Sequence, residues 1–162
     1  MQIQSPIDDK ALHTLQQLRA SGQIRAISLD LDDTLWPIWP TIAKAEATLL
    51  QWLGTHAPTT AEHLGDSQHV RALRHEIVTL RPDLKGDLSG LRRESIRLAL
   101  SRAGDDPALA EPAFDEFFAA RQRVDLFDDA LPALEFFSQR WPVVALSNGN
   151  ANLDVVGIGQ HF

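Results

Sequence analysis

The 162-residue sequence contains no cysteine. That excludes disulfides, thiol nucleophiles and thiolate metal sites together. Basic residues are scarce as well: 15 Lys and Arg stand against 22 Asp and Glu, for a formal net charge of -7. With no cationic excess to neutralise phosphates, broad contact with a nucleic-acid backbone is not expected. No apolar stretch approaches the roughly 20 residues of a membrane-spanning helix. The opening MQIQSPIDDK lacks the basic start and apolar run of a signal peptide. A cytoplasmic protein without a membrane partner is the expectation. What is there, 44% hydrophobic and 23% charged residues, is the composition of an ordinary globular chain, long enough for one domain or for a small core with an inserted module.

Ser5 and Pro6 open a predicted helix with Asp8 and Asp9 in its first turn, an apolar stripe of Ile7, Ala11, Leu15 and Leu18, and Gly22 at its end. Residues 24–29 then form a short apolar, β-branched run that reads as a buried strand. From Pro37 to Val124 the periodicity becomes helical. Ile42, Ala45, Leu49, Trp52 and Leu53 make one face, closed by Gly54 and Pro58. Thr59 and Glu62 have capping-box spacing for a second helix running to Pro82. A third helix starts near Ser89 and ends before Gly104. A fourth follows Asp106 and Pro107, with Phe114, Phe117 and Phe118 as its stripe. Four amphipathic helices with short connections predict an antiparallel bundle. After Val124 a helix capped by Asp128 or Asp129, with Pro132 in its first turn, leads to a second apolar strand at 143–146. The fold class is thus α/β: a parallel-sheet core at 1–36 and 125–162, interrupted by a helical module at 37–124.

Chemistry concentrates at the ends of the two strands. Residues 24–36, IRAISLDLDDTLW, run from the apolar strand into Asp30, Asp32 and Asp33. Like charges gathered at a strand mouth cost stability unless a cation or a phosphate-handling role offsets them. Open α/β sheets bind ligands at this end. Asp30 and Asp32 are two residues apart, so in extended backbone they share a face. One such carboxylate can attack phosphorus while the other gives a proton to the leaving oxygen and later takes one from water. A dianionic phosphoryl group beside this pair calls for a divalent cation, and hard oxygen donors without cysteine or clustered histidine favour magnesium. Ser147, after the second strand, can donate its hydroxyl to a phosphoryl oxygen, joined by the backbone N–H groups of Asn148 and Gly149 at the start of the next helix.

These residues carry a family resemblance. Strand-DLDDTLW resembles the first motif, DxDx[TV], of the haloacid dehalogenase-like hydrolases, and strand-SNGN resembles their second. The helical module between them is similar to the cap that one class of the family inserts after the first motif. The resemblance implies that Asp30 is the nucleophile of an aspartyl-phosphate mechanism and Asp32 the general acid and base. It further implies that Asp30 through its carboxylate and Asp32 through its backbone carbonyl hold magnesium, and that Ser147 binds the phosphoryl group. Family members that cleave carbon–halogen bonds lack the acid/base aspartate, so Asp32 favours a phosphatase. The stretches LRRESIRLAL, RWPVVALSNGNANL and GIGQHF are similar to a bacterial subgroup that dephosphorylates flavin mononucleotide and the phosphorylated ribitylaminouracil precursor of riboflavin. The implied partner is a small phosphorylated metabolite; sugar phosphates and nucleotides are the alternatives.

The family's third motif, a lysine, and its fourth, an acidic pair, lie after the second motif, whereas the last lysine here is Lys85. A truncated chain is therefore the expectation, with a natural non-catalytic fragment that binds phosphate or magnesium as the alternative. If the chain ends at Phe162, a bare strand edge would favour self-association. Several residues carry two readings. Trp36 and Trp39 either border the entrance and stack on a flat substrate or pack between domains. Arg92 and Arg93 either reach an anionic substrate or form the solvated helix face expected of charged residues. Ser147 and Asn148 alone could cap a turn. The six histidines are scattered without ligand spacing, and the phenylalanine stripe reads as bundle core rather than a flavin site.

Overall fold

The computed structural model describes residues 9–22, 24–65 and 67–162. The elements are α1 (Asp9–Ala20), β1 (Ile27–Leu29), α2 (Ile38–His56), α3 (Pro58–Leu64), α4 (Ser67–Leu80), α5 (Leu88–Ala103), α6 (Ala110–Arg121), α7 (Ala130–Ser138), β2 (Val143–Ala145) and α8 (Leu153–Val156). The expected start of the first helix at Ser5 and Pro6, and its Ile7, lie outside the described residues, as do the side chains of Ala11 and Leu15. Two compact units result. One combines the described residues through Pro37 with Asp125–Asn148 and Leu153–Phe162; the other combines Ile38–Val124 with Gly149–Asn152.

In the first unit β1 and β2 pair in parallel, with Ile27 opposite Val143 and Leu29 opposite Ala145. The ladder is extended at both ends, by Ile27 N–H to the Pro142 carbonyl (2.9 Å) and Leu146 N–H to the Leu29 carbonyl (2.8 Å). Parallel neighbours need a crossover, and α7 supplies it, burying Ala130 and Leu134 beside Trp141, Val143 and Ile158 in the core of this unit. Asp129 sits at the N-cap of α7 but makes no side-chain cap, contrary to expectation; Pro132 in the first turn needs no donor partner there. Nor are the strands buried throughout. Val144 and Leu146 are exposed, because no described element covers that face.

Among the described residues the second unit holds five α-helices rather than the expected four. The predicted second helix is broken at Gly65, between α3 and α4, where the residue of lowest helix propensity after proline falls. Gly54 does not end α2, which runs on to His56. Pro58 begins α3 at a position where its missing N–H costs nothing. The Thr59–Glu62 capping box does not form either. Ala57 is the N-cap and offers no side chain, and the orphan donors of Thr60 go instead to Asp105, its N–H at 2.9 Å and its hydroxyl at 2.6 Å. Asp105 is held for this by the end of α5. Gly104 turns left-handed at φ +81°, and Asp105 N–H closes back on the Leu100 carbonyl at 3.0 Å. The core runs along α2, α5 and α6 and contains Leu49, Leu53, Ile96, Leu100, Phe114 and Phe117, as the helical stripes predict. No described helix is long and apolar enough to cross a membrane.

Candidate active site

Leu31, Leu35 and Trp36 are buried and anchor the turn that leaves β1. On either side of the buried Leu31, Asp30 is exposed and Asp32 half-buried. Asp30 Oδ1 accepts the Leu31 N–H at 2.8 Å. The turn closes when the Leu31 carbonyl accepts from Thr34 (3.2 Å) and Leu35 (2.8 Å), and Asp33 N–H donates to the Trp36 carbonyl at 2.8 Å. Asp33 takes φ +58°, the only non-glycine residue in the left-handed region among those described. Asp and Asn tolerate that region better than most residues.

Trp36 does not border an entrance. Its ring is fully buried, and its indole N–H donates to Asp32 Oδ1 at 2.8 Å. Burial removes the face it would need to stack on a substrate; it holds the acidic side chain instead. Its spacing four residues beyond Asp32, across a tight turn, is the sequence signal for that contact. Trp39 is 76% exposed.

Register brings Ser147 to the same end of the sheet. Leu29 and Ala145 are paired, and Leu146 N–H bonds to Leu29, so Asp30 and Ser147 emerge from strands spaced about 4.8 Å apart. Ser147 is half-buried and Asn148 exposed. Asn148 and Gly149 do not form a helix start, since α8 begins only at Leu153 and has four residues. The intervening loop is tied by Asn150 Nδ2 to Ser89 Oγ (3.1 Å) and by Asn152 N–H to Gln122 Oε1 (2.7 Å), bonds that compete with helix formation.

Arg92 and Arg93 are not a solvated face. Their guanidiniums lie over the rings of Phe117 and Phe114, at 4.2 Å and 3.9 Å from the centroids. Burial, then repulsion from Arg74, lowers the Arg92 pKa to about 10 against the opposing pull of Glu46, so it stays cationic at neutral pH. Arg121 is 2% exposed and was not legible as special, although it follows Phe117 by one helical turn and so shares its core-facing side.

The donors at the β1 end suit a hard cation in kind: the Asp30 carboxylate and the Asp32 carbonyl are oxygen ligands. Magnesium commonly takes one or two carboxylates and completes its shell with water and substrate phosphate. Among the described residues no three His, Asp or Glu side chains gather as a ready-made metal cage.

A parallel pair of strands with carboxylates beyond its C-terminal end, interrupted by a helical unit, defines a Rossmann-like α/β class with an inserted helical cap. No protein-family model matches the chain. It is 30% identical over 148 residues to the 5-amino-6-(5-phospho-D-ribitylamino)uracil phosphatase YigB of Escherichia coli (strain K12), covering 89% of this chain and 61% of that protein. A 2-haloacid dehalogenase structure from Pseudomonas syringae pv. Tomato DC3000 matches with a TM-score of 0.76 and 33% identity, over 86% of this chain and 61% of that one. A magnesium-bound structure described as the HAD-hydrolase YfnB of Bacillus subtilis matches with a TM-score of 0.50 and 15% identity, over 85% and 62%, a likeness of fold alone. These likenesses support membership of the haloacid dehalogenase-like hydrolase superfamily. It spans about 61% of the length of the curated relative it matches.

Proposed function

We propose that the protein acts as a magnesium-dependent phosphatase of small phosphorylated metabolites, with the ribitylaminouracil phosphate or flavin mononucleotide as substrate. The observation that carries this reading is the exposed Asp30 carboxylate just beyond β1, two residues from a half-buried Asp32 with one oxygen held by the Trp36 indole. Asp30 attacks phosphorus, and the bond from phosphorus to the substrate oxygen breaks as Asp32 gives that oxygen its proton. Asp32 then takes a proton from water, whose oxygen attacks phosphorus and releases inorganic phosphate and the free Asp30 carboxylate. Ser147 donates its hydroxyl to a phosphoryl oxygen. The Asp30 carboxylate and the Asp32 carbonyl would hold magnesium, which would supply positive charge against the phosphoryl group.

The similarity to a protein named as a phosphatase supports this choice, and the similarity to one named as a haloacid dehalogenase supplies the rival reading. Phosphate and halide release measured side by side decide between them. Phosphate release with magnesium is expected to vanish in Asp30→Asn and to fall by about 100-fold or more in Asp32→Asn. Halide release from a 2-haloacid without phosphatase activity overturns the proposal, as does full turnover in Asp30→Asn.

A further inference from the structure

The helical unit carries an open cleft of about 290 Å3 lined by three arginines: Arg74 from α4, Arg92 from α5 and Arg121 from α6. Leu91 and Phe117 give it an apolar side, and Asn150 a carboxamide edge. Arg92 keeps only 18% of its side chain exposed. Its counter-ion is Glu46, at 3.4 Å, and the same Glu46 oxygen also pairs with Arg74. One carboxylate thus serves two cations, and the more buried of them already pays in a depressed pKa for its confinement. Holding two guanidiniums on one negative charge in a partly desolvated wall is costly unless an anion completes the set.

We propose that this cavity binds a small organic anion, its phosphate or carboxylate head held by Arg74, Arg92 and Arg121 and its apolar or flat body against Leu91 and Phe117. Guanidinium forks match both head groups in geometry and charge, and the mixture of a cationic wall with an aromatic ring selects a ligand that is charged at one end only. The head group is common to two sources, a distal anionic group of the substrate and a separate small effector.

Phenylphosphonate, which carries an aromatic body and a doubly ionisable head, is the probe, with benzyl alcohol as its neutral counterpart. Calorimetry in the Asp30→Asn/Ser147→Ala double variant removes two groups of the candidate active site and reads the cavity. Saturable binding of phenylphosphonate is expected there, with benzyl alcohol much weaker. Arg92→Met is expected to weaken binding about tenfold and Arg74→Gln three- to fivefold; Arg74 has 43% of its side chain exposed, so its variant tests the site with little demand on the core. Binding that is absent, indifferent to both substitutions, or matched by benzyl alcohol overturns the proposal. In the enzyme with an intact Asp30 and Ser147, competition with substrate that Arg92→Met relieves assigns the cavity to the substrate's distal group, and altered turnover without competition that Arg92→Met abolishes assigns it to an effector. Arginine-dependent binding that persists while phosphate release is never detected sinks the phosphatase reading alone; phosphatase activity without such binding sinks the cavity alone.

Discussion

The indole N–H of Trp36 reaches Asp32 Oδ1 at 2.8 Å from a fully buried ring. A residue that looks in sequence like a substrate platform is thus a fixed donor to the expected acid/base, and Asp33 N–H bonding to the Trp36 carbonyl at 2.8 Å locks both ends of the same turn. A carboxylate with one oxygen held has fewer orientations to lose when it transfers a proton.

Trp36→Phe keeps an aromatic ring in the core and removes the donor. A hydrogen bond to a charged group is worth roughly 1.5–3 kcal/mol, so kcat is expected to fall about tenfold or more with little change in KM. A stability loss with unchanged kcat would make Trp36 a packing residue only.

Asp105 stands in for a missing cap 45 residues away in the chain, taking both the N–H and the hydroxyl of the buried Thr60. Asp105→Ala leaves two donors without their acceptor, and urea denaturation is expected to show a loss of about 3 kcal/mol. Asp105→Asn, which keeps an acceptor oxygen, should lose much less. Equal losses would mean that the carboxamide cannot take up the bonds.

Arg92 is expected to cost stability where it helps binding. Its folded pKa lies at about 10, below the ordinary arginine value, with burial as the largest cause and Arg74 second. The unfolded chain therefore binds the proton more tightly, and the charged form is penalised in the fold at every pH below about 10. That penalty is relieved only as pH rises through 10 towards the unfolded value. With the pull of Glu46 already included, its size is on the order of 3 kcal/mol at neutral pH, and the ring contact with Phe117 offsets part of it. Arg92→Met is expected to raise the urea midpoint at pH 7, by about 1 kcal/mol net, while weakening phenylphosphonate binding. A destabilised Met variant would show that the ion pair outweighs desolvation.

Chelation separates the two sites. EDTA is expected to abolish phosphate release and added magnesium to restore it, while phenylphosphonate binding in the Asp30→Asn/Ser147→Ala variant stays unchanged. Turnover that survives exhaustive chelation would defeat the assigned cation.

Much of the fold is legible in local periodicity. The stripes Ala45–Leu49–Leu53 and Phe114–Phe117 sit in the helical core, and both strands fall within the runs that read as strands. What misled was chemistry that resembles one device and is served by another. Thr59 and Glu62 have the spacing of a capping box, yet α3 starts at Pro58 and its free donors find Asp105. Gly54 looks like a helix stop but lies inside α2, while Gly65 breaks the next helix. Asn148 and Gly149 precede a loop, because Asn150 and Asn152 spend their hydrogen bonds on Ser89 and Gln122.

The sequence by itself determined that an acidic cluster with Asp30 and Asp32 follows an apolar strand and that a helical unit interrupts a parallel pair, since both strand and helices follow from repeats of two and of three to four residues. Only the tertiary structure decided that Trp36 turns inward to hold Asp32, that Asp105 caps α3, and that Arg74, Arg92 and Arg121 share a cavity. Those relationships depend on which side chains are excluded from water together. Burial is a property of packed elements, and apart from the Trp36 turn it joins residues too distant in the chain for any local pattern to encode.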